Sequence, residues 1–178
     1  PIACKRELAY IPDNPDLYDY MTGIRYLNFI ADIFGVSSEV RQQRIHDYAA
    51  RFELTDDLAQ PIAAYSHGMK QKLALIGALI HEPKLLLMDE PYGQLDIDLR
   101  FKLEDELIKL WKKTGTTVLF ITHNIEEAVY LSQKIMVLTN KPTSVKTVLD
   151  NPLPLPRDVV SPEFVELRNK VTDLIKWW

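Results

Sequence analysis

The sequence predicts an α/β protein built on a mainly parallel sheet, and three observations carry that expectation. Leu85-Leu86-Leu87-Met88 is an unbroken apolar run that Asp89, Glu90 and Pro91 bring to an end. Thr117 to Ile121 is a second run of β-branched and apolar residues. Runs of this kind predict strands buried on both faces. Between them Leu99, Leu103, Leu107, Leu110 and Trp111 recur at helical spacing. Two strands joined by one amphipathic helix form a right-handed crossover unit, so they are expected to lie parallel and adjacent. An Asp-Glu pair after a strand is on its own a solvated turn. At the C-terminal end of a parallel strand it lies where open α/β sheets bind ligands.

The bounds agree with this class. A chain of 178 residues suits one domain, or one domain with a small lobe. The net charge of −4 argues against a general nucleic-acid-binding surface. Cys4 is the single cysteine, which excludes an internal disulfide framework and fits a reducing compartment. The longest clearly apolar run, Leu73 to Ile80, is too short to span a bilayer. The sequence begins with Pro1 and reads as a piece of something longer.

In chain order, Glu7 to Ile11 reads as a short strand, and Pro12-Asp13-Asn14-Pro15-Asp16 as a loop. Ile24, Leu27, Ile30, Ile33 and Phe34 mark a helix that Gly35 ends. Ser38 is expected to open the next helix, with Glu39 in its first turn and Val40, Ile45, Tyr48, Ala49 and Phe52 as its buried stripe. Thr55 to Tyr65 reads as a short helical turn and a loop around Pro61. Ser66 stands where an N-cap would, ahead of a helix carrying Leu73, Leu75, Ile76, Leu79 and Ile80. A serine and a glycine at a helix start make an anion site, although alone they are read as capping.

Past the central strand, Tyr92 to Asp96 is a turn that caps the long helix, and Gly115 fits the residue just beyond its end. Thr122-His123 closes the second strand. Asn124 with Glu127 three residues on caps another helix, to about Ser132. Ile135 to Thr139 and Val145 to Leu149 are further strand candidates. Asn151 to Arg157, with three prolines, is an extended connector. Ser161-Pro162-Glu163 starts a last helix, whose face is Phe164, Leu167, Val171, Leu174 and Trp178. Trp177 and Trp178 admit a membrane-interface reading, but a docked helix is preferred.

These signals together resemble the nucleotide-binding subunit of ABC transporters. Leu85 to Glu90 is similar to the family's Walker B strand, and Gly93-Gln94-Leu95-Asp96 to its D-loop. Ile121-Thr122-His123 resembles the switch-histidine motif, Tyr65-Ser66-His67-Gly68-Met69 the signature, and Pro12-Asp13 stands at the Q-loop. Five motifs in the family's order cover most of the chain. The first half looks like bacterial drug and peptide exporters. The second half, with Asp-Glu-Pro-Tyr-Gly-Gln-Leu-Asp and a Pro-Leu-Pro-Arg tail, looks like nitrate, sulfonate and taurine importers.

The resemblance implies a P-loop NTPase-like (RecA-like) α/β fold with its N-terminal portion missing. It divides the chain into the end of the N-terminal core with the Q-loop (1–13), a helical subdomain with the signature (14–83), a core with Walker B, D-loop and switch histidine (84–150) and a C-terminal extension (151–178). It implies ATP and Mg²⁺ as cofactors. Asp89 would hold the metal's water shell, Glu90 would act as general base or orient the attacking water, and His123 would contact the γ-phosphate. Asp13 would stand near the metal, Ser66, His67 and Gly68 would belong to the face that cradles a partner's γ-phosphate, and Asp96 would cross the dimer interface. Glu90 and His123 are expected to approach each other at the C-terminal edge of the sheet. The implied partners are transmembrane permease subunits and a second nucleotide-binding domain, at the cytoplasmic face of the cell membrane.

The chain departs from the family at three places. His67 and Met69 replace the signature's commonest glycine and glutamine, and Asp13 replaces the Q-loop amide with an acceptor. No G-x-x-x-x-G-K-[ST] occurs among the six glycines, so the phosphate-wrapping loop, its lysine and its hydroxyl are absent from these residues. A chain without that loop is expected not to hydrolyse ATP by itself. That absence supports an alternative, a non-catalytic module that gives its signature face to a partner. A chromosome-maintenance ATPase is set aside, because the 52 residues between Asp13 and Ser66 hold no long heptad insert.

Overall fold

The computed structural model describes residues 2–176, in two compact units divided between Ile121 and Thr122. Trp177 and Trp178, one of them expected on the face of the last helix, lie outside the described residues.

The first unit carries a three-stranded parallel sheet in the order β1 (Leu8–Ile11), β2 (Leu85–Asp89), β3 (Thr117–Ile121). The register pairs Tyr10 with Leu87 and Leu87 with Leu119, so β2 is central and the expected adjacency of the two apolar runs holds. A short helix α1 (Ile2–Arg6), not expected from the sequence, precedes β1. Helices α2 (Gly23–Ile33) and α3 (Ser38–Arg51) follow, then two 3-10 turns and α4 (His67–Leu79). The crossover helix α5 (Ile97–Thr114) joins β2 to β3.

Helix starts and stops follow local chemistry. Thr22, Ser37, Ser66 and Asp96 each cap a helix by accepting a backbone N–H from three residues on. The cap of α3 is therefore Ser37 and not Ser38, because only residue 37 has the extended backbone that aims its hydroxyl back at the helix. Gly35 and Gly115 take left-handed φ values of 69° and 66° just past their helices. In α2 the seam is Gly23, Leu27 and Ala31, and Ile33 of the expected stripe faces solvent. In α3 Val40 of the expected stripe is exposed, and Ile45 and Ala49 are buried. Helix α4 is apolar nearly all round and is the hub, packing on α2, α3 and β1.

One expectation fails. The two apolar strands are not buried on both faces. Leu86 and Met88 are fully buried, but Leu119 is 53% and Ile121 45% exposed, and Leu85 and Leu87 are half-buried. Among the described residues β3 is an edge strand with only β2 beside it, and an apolar run records what a strand tolerates, not whether a second cover is supplied.

The second unit holds α6 (Ile125–Leu131), an antiparallel hairpin of β4 (Lys134–Leu138) and β5 (Val145–Asp150), and α7 (Pro162–Ile175) packed on α6 and β4. Between β5 and α7 the chain is irregular, as its prolines predict.

Candidate functional site

Parallel pairing sends β1 and β2 out of the sheet at the same edge, which gathers Asp13, Asp89 and Glu90 there. Asp89 is the last residue of β2, half-buried, and its Oδ2 accepts the Tyr10 hydroxyl at 3.3 Å. The Tyr10 phenol is raised above its ordinary pKa by desolvation first, then by the charge of Asp89, the hydrogen bond to it, and the charge of Asp13. The tyrosine thus reports two carboxylates on one side of the edge. Asp13 itself is exposed and accepts the Asn14 N–H at 2.7 Å.

Glu90 occupies a backbone that side-chain-bearing residues rarely adopt, with φ at 44°. Its N–H donates to Ile121 O at 2.8 Å, continuing the ladder one residue past β2, while its carbonyl accepts the Gly93 N–H at 3.2 Å. Sheet on one side and turn on the other hold the strained residue in place. Strain of this kind costs on the order of 1–3 kcal/mol and gathers at functional sites.

The signature and D-loop residues come together at the starts of α4 and α5. Ser66 Oγ caps α4 through Met69 N at 3.3 Å, and Asp96 Oδ1 caps α5 through Leu99 N at 2.9 Å. A Cβ added to Gly68 would meet Leu99 Cδ2 at 2.5 Å and Leu95 Cδ2 at 3.8 Å, so the absence of a side chain at 68 lets the two helix starts approach. Ser66 and Asp96 are exposed, and His67 is half-buried.

In the second unit His123 is exposed between two half-buried neighbours. The Asn124 side chain accepts from Glu126 N and Glu127 N to start α6. The sequence foresees the Asn124–Glu127 pairing, but the carboxylate of Glu127 goes to side chains instead of the Asn124 backbone. Buried Arg157 was missed, since its carbonyl partners on α6 lie up to 28 residues away and leave no local pattern. Tyr10 was missed because its link to Asp89 spans 79 positions.

The residues fit part of what the motifs imply. Mg²⁺ is commonly held by one or two carboxylates together with substrate phosphates, and Asp89 supplies one such oxygen ligand. The described residues contain no group of three or more acids, histidines or cysteines able to hold a metal by themselves. They also contain no G-x-x-x-x-G-K-[ST] loop to wrap the phosphates. No helix among the described residues is long and apolar enough to cross a membrane.

Comparison with known proteins agrees with the geometry. The family model described as ABC transporter matches residues 3–93. The aliphatic sulfonates import ATP-binding protein SsuB of Bacillus cereus is 43% identical over 106 residues, covering 60% of this chain and 42% of the relative. An ABC transporter ATP-binding protein of Methanocaldococcus jannaschii is 43% identical over 111 residues, 62% of this chain and 42% of its own length. An ATP-binding protein of Brucella abortus is 35% identical over 158 residues, 87% of this chain and 61% of that protein. The chain therefore spans 42% of the length of the first two relatives and 61% of the third. Among solved structures, the ATP-binding subunit of an ABC transporter superposes with a TM-score of 0.74 at 26% identity, over 94% of this chain and 69% of that one. CbiO1 of Clostridium perfringens, part of the CbiONQ complex, gives 0.74 at 19% identity over 97% and 67%, a likeness of fold. The import-type likeness read from the sequence fits the SsuB match. With the family model matched over half of the chain, and a P-loop NTPase-like fold around Asp89 and Glu90, the chain belongs to the ABC transporter family.

Proposed function

We propose that this chain works within the ATP-hydrolysing subunit of an ABC transporter, coupling hydrolysis to transport by permease subunits at the inner face of a membrane. The observation that carries the reading is the Asp89–Glu90 pair at the exit of the central parallel strand, with Glu90 clamped at a φ of 44° between sheet and turn. A carboxylate carried on a backbone held in this way leaves the strand end from a defined point, where it can orient a water for in-line attack. In the first unit Asp89 offers an oxygen ligand to Mg²⁺; the second unit's His123 is assigned, separately, a contact to the terminal phosphate. Ser66, His67 and Gly68 present the start of α4 to nucleotide bound on a second nucleotide-binding domain, and Asp96 faces the same partner. Asp13 stands on the metal side.

A bound Mg²⁺ would supply charge neutralisation of the nucleotide's phosphates, which these residues do not replace. Each missing oxyanion-type donor is worth about 10²–10³ in rate, so a chain without the phosphate-wrapping loop is expected to release no phosphate above background. The check is phosphate release by the purified 178-residue chain beside Glu90→Gln. Turnover that vanishes in Glu90→Gln would show complete machinery within these residues and overturn the expectation.

The missing G-x-x-x-x-G-K-[ST] also supports a second reading, a non-catalytic module acting in trans. Its mark is ATP-dependent association with a P-loop-bearing subunit that Ser66→Arg abolishes while Glu90→Gln leaves it intact.

A further inference from the structure

The turn around His123 is built more firmly than a helix start requires. Glu127 is 4% exposed, and its carboxylate accepts two side-chain donors, the Thr122 hydroxyl at 2.7 Å and the Asn124 amide at 3.2 Å. These donors stand immediately before and after His123. In an ordinary capping box the glutamate returns to the backbone N–H of the capping residue. Here that N–H donates instead to Thr122 Oγ1 at 2.9 Å, and the carboxylate is left to bind both flanks. Three hydrogen bonds tie residues 122 and 124 to each other and to Glu127, leaving the imidazole as the exposed member of the turn.

The other end of α6 is held from the proline-rich segment. Arg157, 7% exposed, donates through Nη1 to Val129 O at 3.0 Å and Tyr130 O at 2.6 Å, and through Nε and Nη2 to Leu153 O at 3.2 Å each. Asn151 adds a bond from Nδ2 to Val129 O at 2.8 Å. Val129 and Tyr130 belong to the last turn of a seven-residue helix, whose carbonyls lack partners within it. A helix this short has little stability of its own, so its ends must be fixed from outside.

We infer that Glu127 is the positioning residue for His123, and that the segment Asn151–Arg157, by holding the far end of α6, sets where the histidine is presented. The functional consequence rests on reading His123 as the phosphate-contacting group, but the geometry does not. The segment is then an arm that adjusts the switch position: whatever displaces Arg157 loosens the histidine one short helix away.

The test uses the isotope-labelled 178-residue chain without nucleotide and follows the His123 ring resonance and amide exchange over 122–131. In Glu127→Gln, which keeps shape but faces one donor with another, exchange at 122–125 is expected to accelerate about tenfold. The His123 resonance should broaden or split while those of His46, His67 and His81 stay put. Thr122→Val, which removes only the hydroxyl, should reproduce the His123 signature if Glu127→Gln does not fold. Arg157→Lys should open residues 129–131 and move the His123 resonance in the same direction by less. An unchanged His123 signal in folded Glu127→Gln or Thr122→Val overturns the positioning role, as does uniform loosening of the unit with no selective effect on His123. An unmoved His123 in Arg157→Lys overturns the part assigned to the arm. Because no measurement involves ATP, failure here is separate from failure of the phosphate-release reading.

Discussion

The two faces of the parallel sheet are made of the same kinds of residue and meet different fates. Ala9, Ile11, Leu86 and Met88 are buried on one side, where α4 packs against β1. Leu8, Tyr10, Leu119 and Ile121 point the opposite way and stay more than a third exposed. Strand formation asks only for residues that fit a pleat, whereas burial needs a second element to arrive. The open face also carries Asp89, one of the carboxylates gathered at the candidate site, so the uncovered side is the one that holds candidate chemistry.

The sharpest measure of that contrast is a pair of truncations. Leu86→Ala removes a fully buried side chain and should cost about 3 kcal/mol, while Leu119→Ala, half in water already, should stay within about 1 kcal/mol. Urea unfolding of both variants gives the comparison, and equal losses would break it.

A smaller effect is expected where α4 meets α5. Gly68→Ala places a methyl against Leu99, and since that contact is the far end of a side chain, the packing yields at roughly 1–2 kcal/mol. A loss near zero would mean that the two helix starts are less closely packed than the structure has them.

The smallest effect is a slope. His81, just past α4, stacks on Phe34 with ring centroids 3.7 Å apart, and burial pushes its imidazole below the ordinary 6.5, against a smaller upward pull from a hydrogen bond to the Leu8 backbone and with the Arg44 charge adding to the fall. The unfolded chain therefore takes up this proton first. The contribution of His81 is whole above pH 6.5 and is lost as pH falls through the lower folded value. Stability measured from pH 7.5 down to 5 should fall more steeply for the natural chain than for His81→Gln. Parallel curves would put His81 in water.

What the sequence discloses and what it hides divide along the same physical line. Ser66, Gly35 and Gly115 were legible because a cap or a left-handed stop depends on neighbours within a turn. The central strand was legible because Leu85 to Met88 leaves little alternative, and the acids after it because their place follows from strand direction. The exposure of Leu119 was not legible, because whether a face is covered depends on the rest of the molecule. Arg157 likewise looks like any exposed charge until α6 turns its last carbonyls toward it. The strain at Glu90 has no trace in residue type, since glutamate is an uncommon choice for that backbone.

That last mismatch has a consequence for anyone who selects variants of this protein. At a φ of 44° glycine relieves a penalty of up to about 1–2 kcal/mol that glutamate bears. A screen for thermal endurance alone will therefore favour Glu90→Gly, and each round of it will move the population toward hardier chains that have lost the carboxylate.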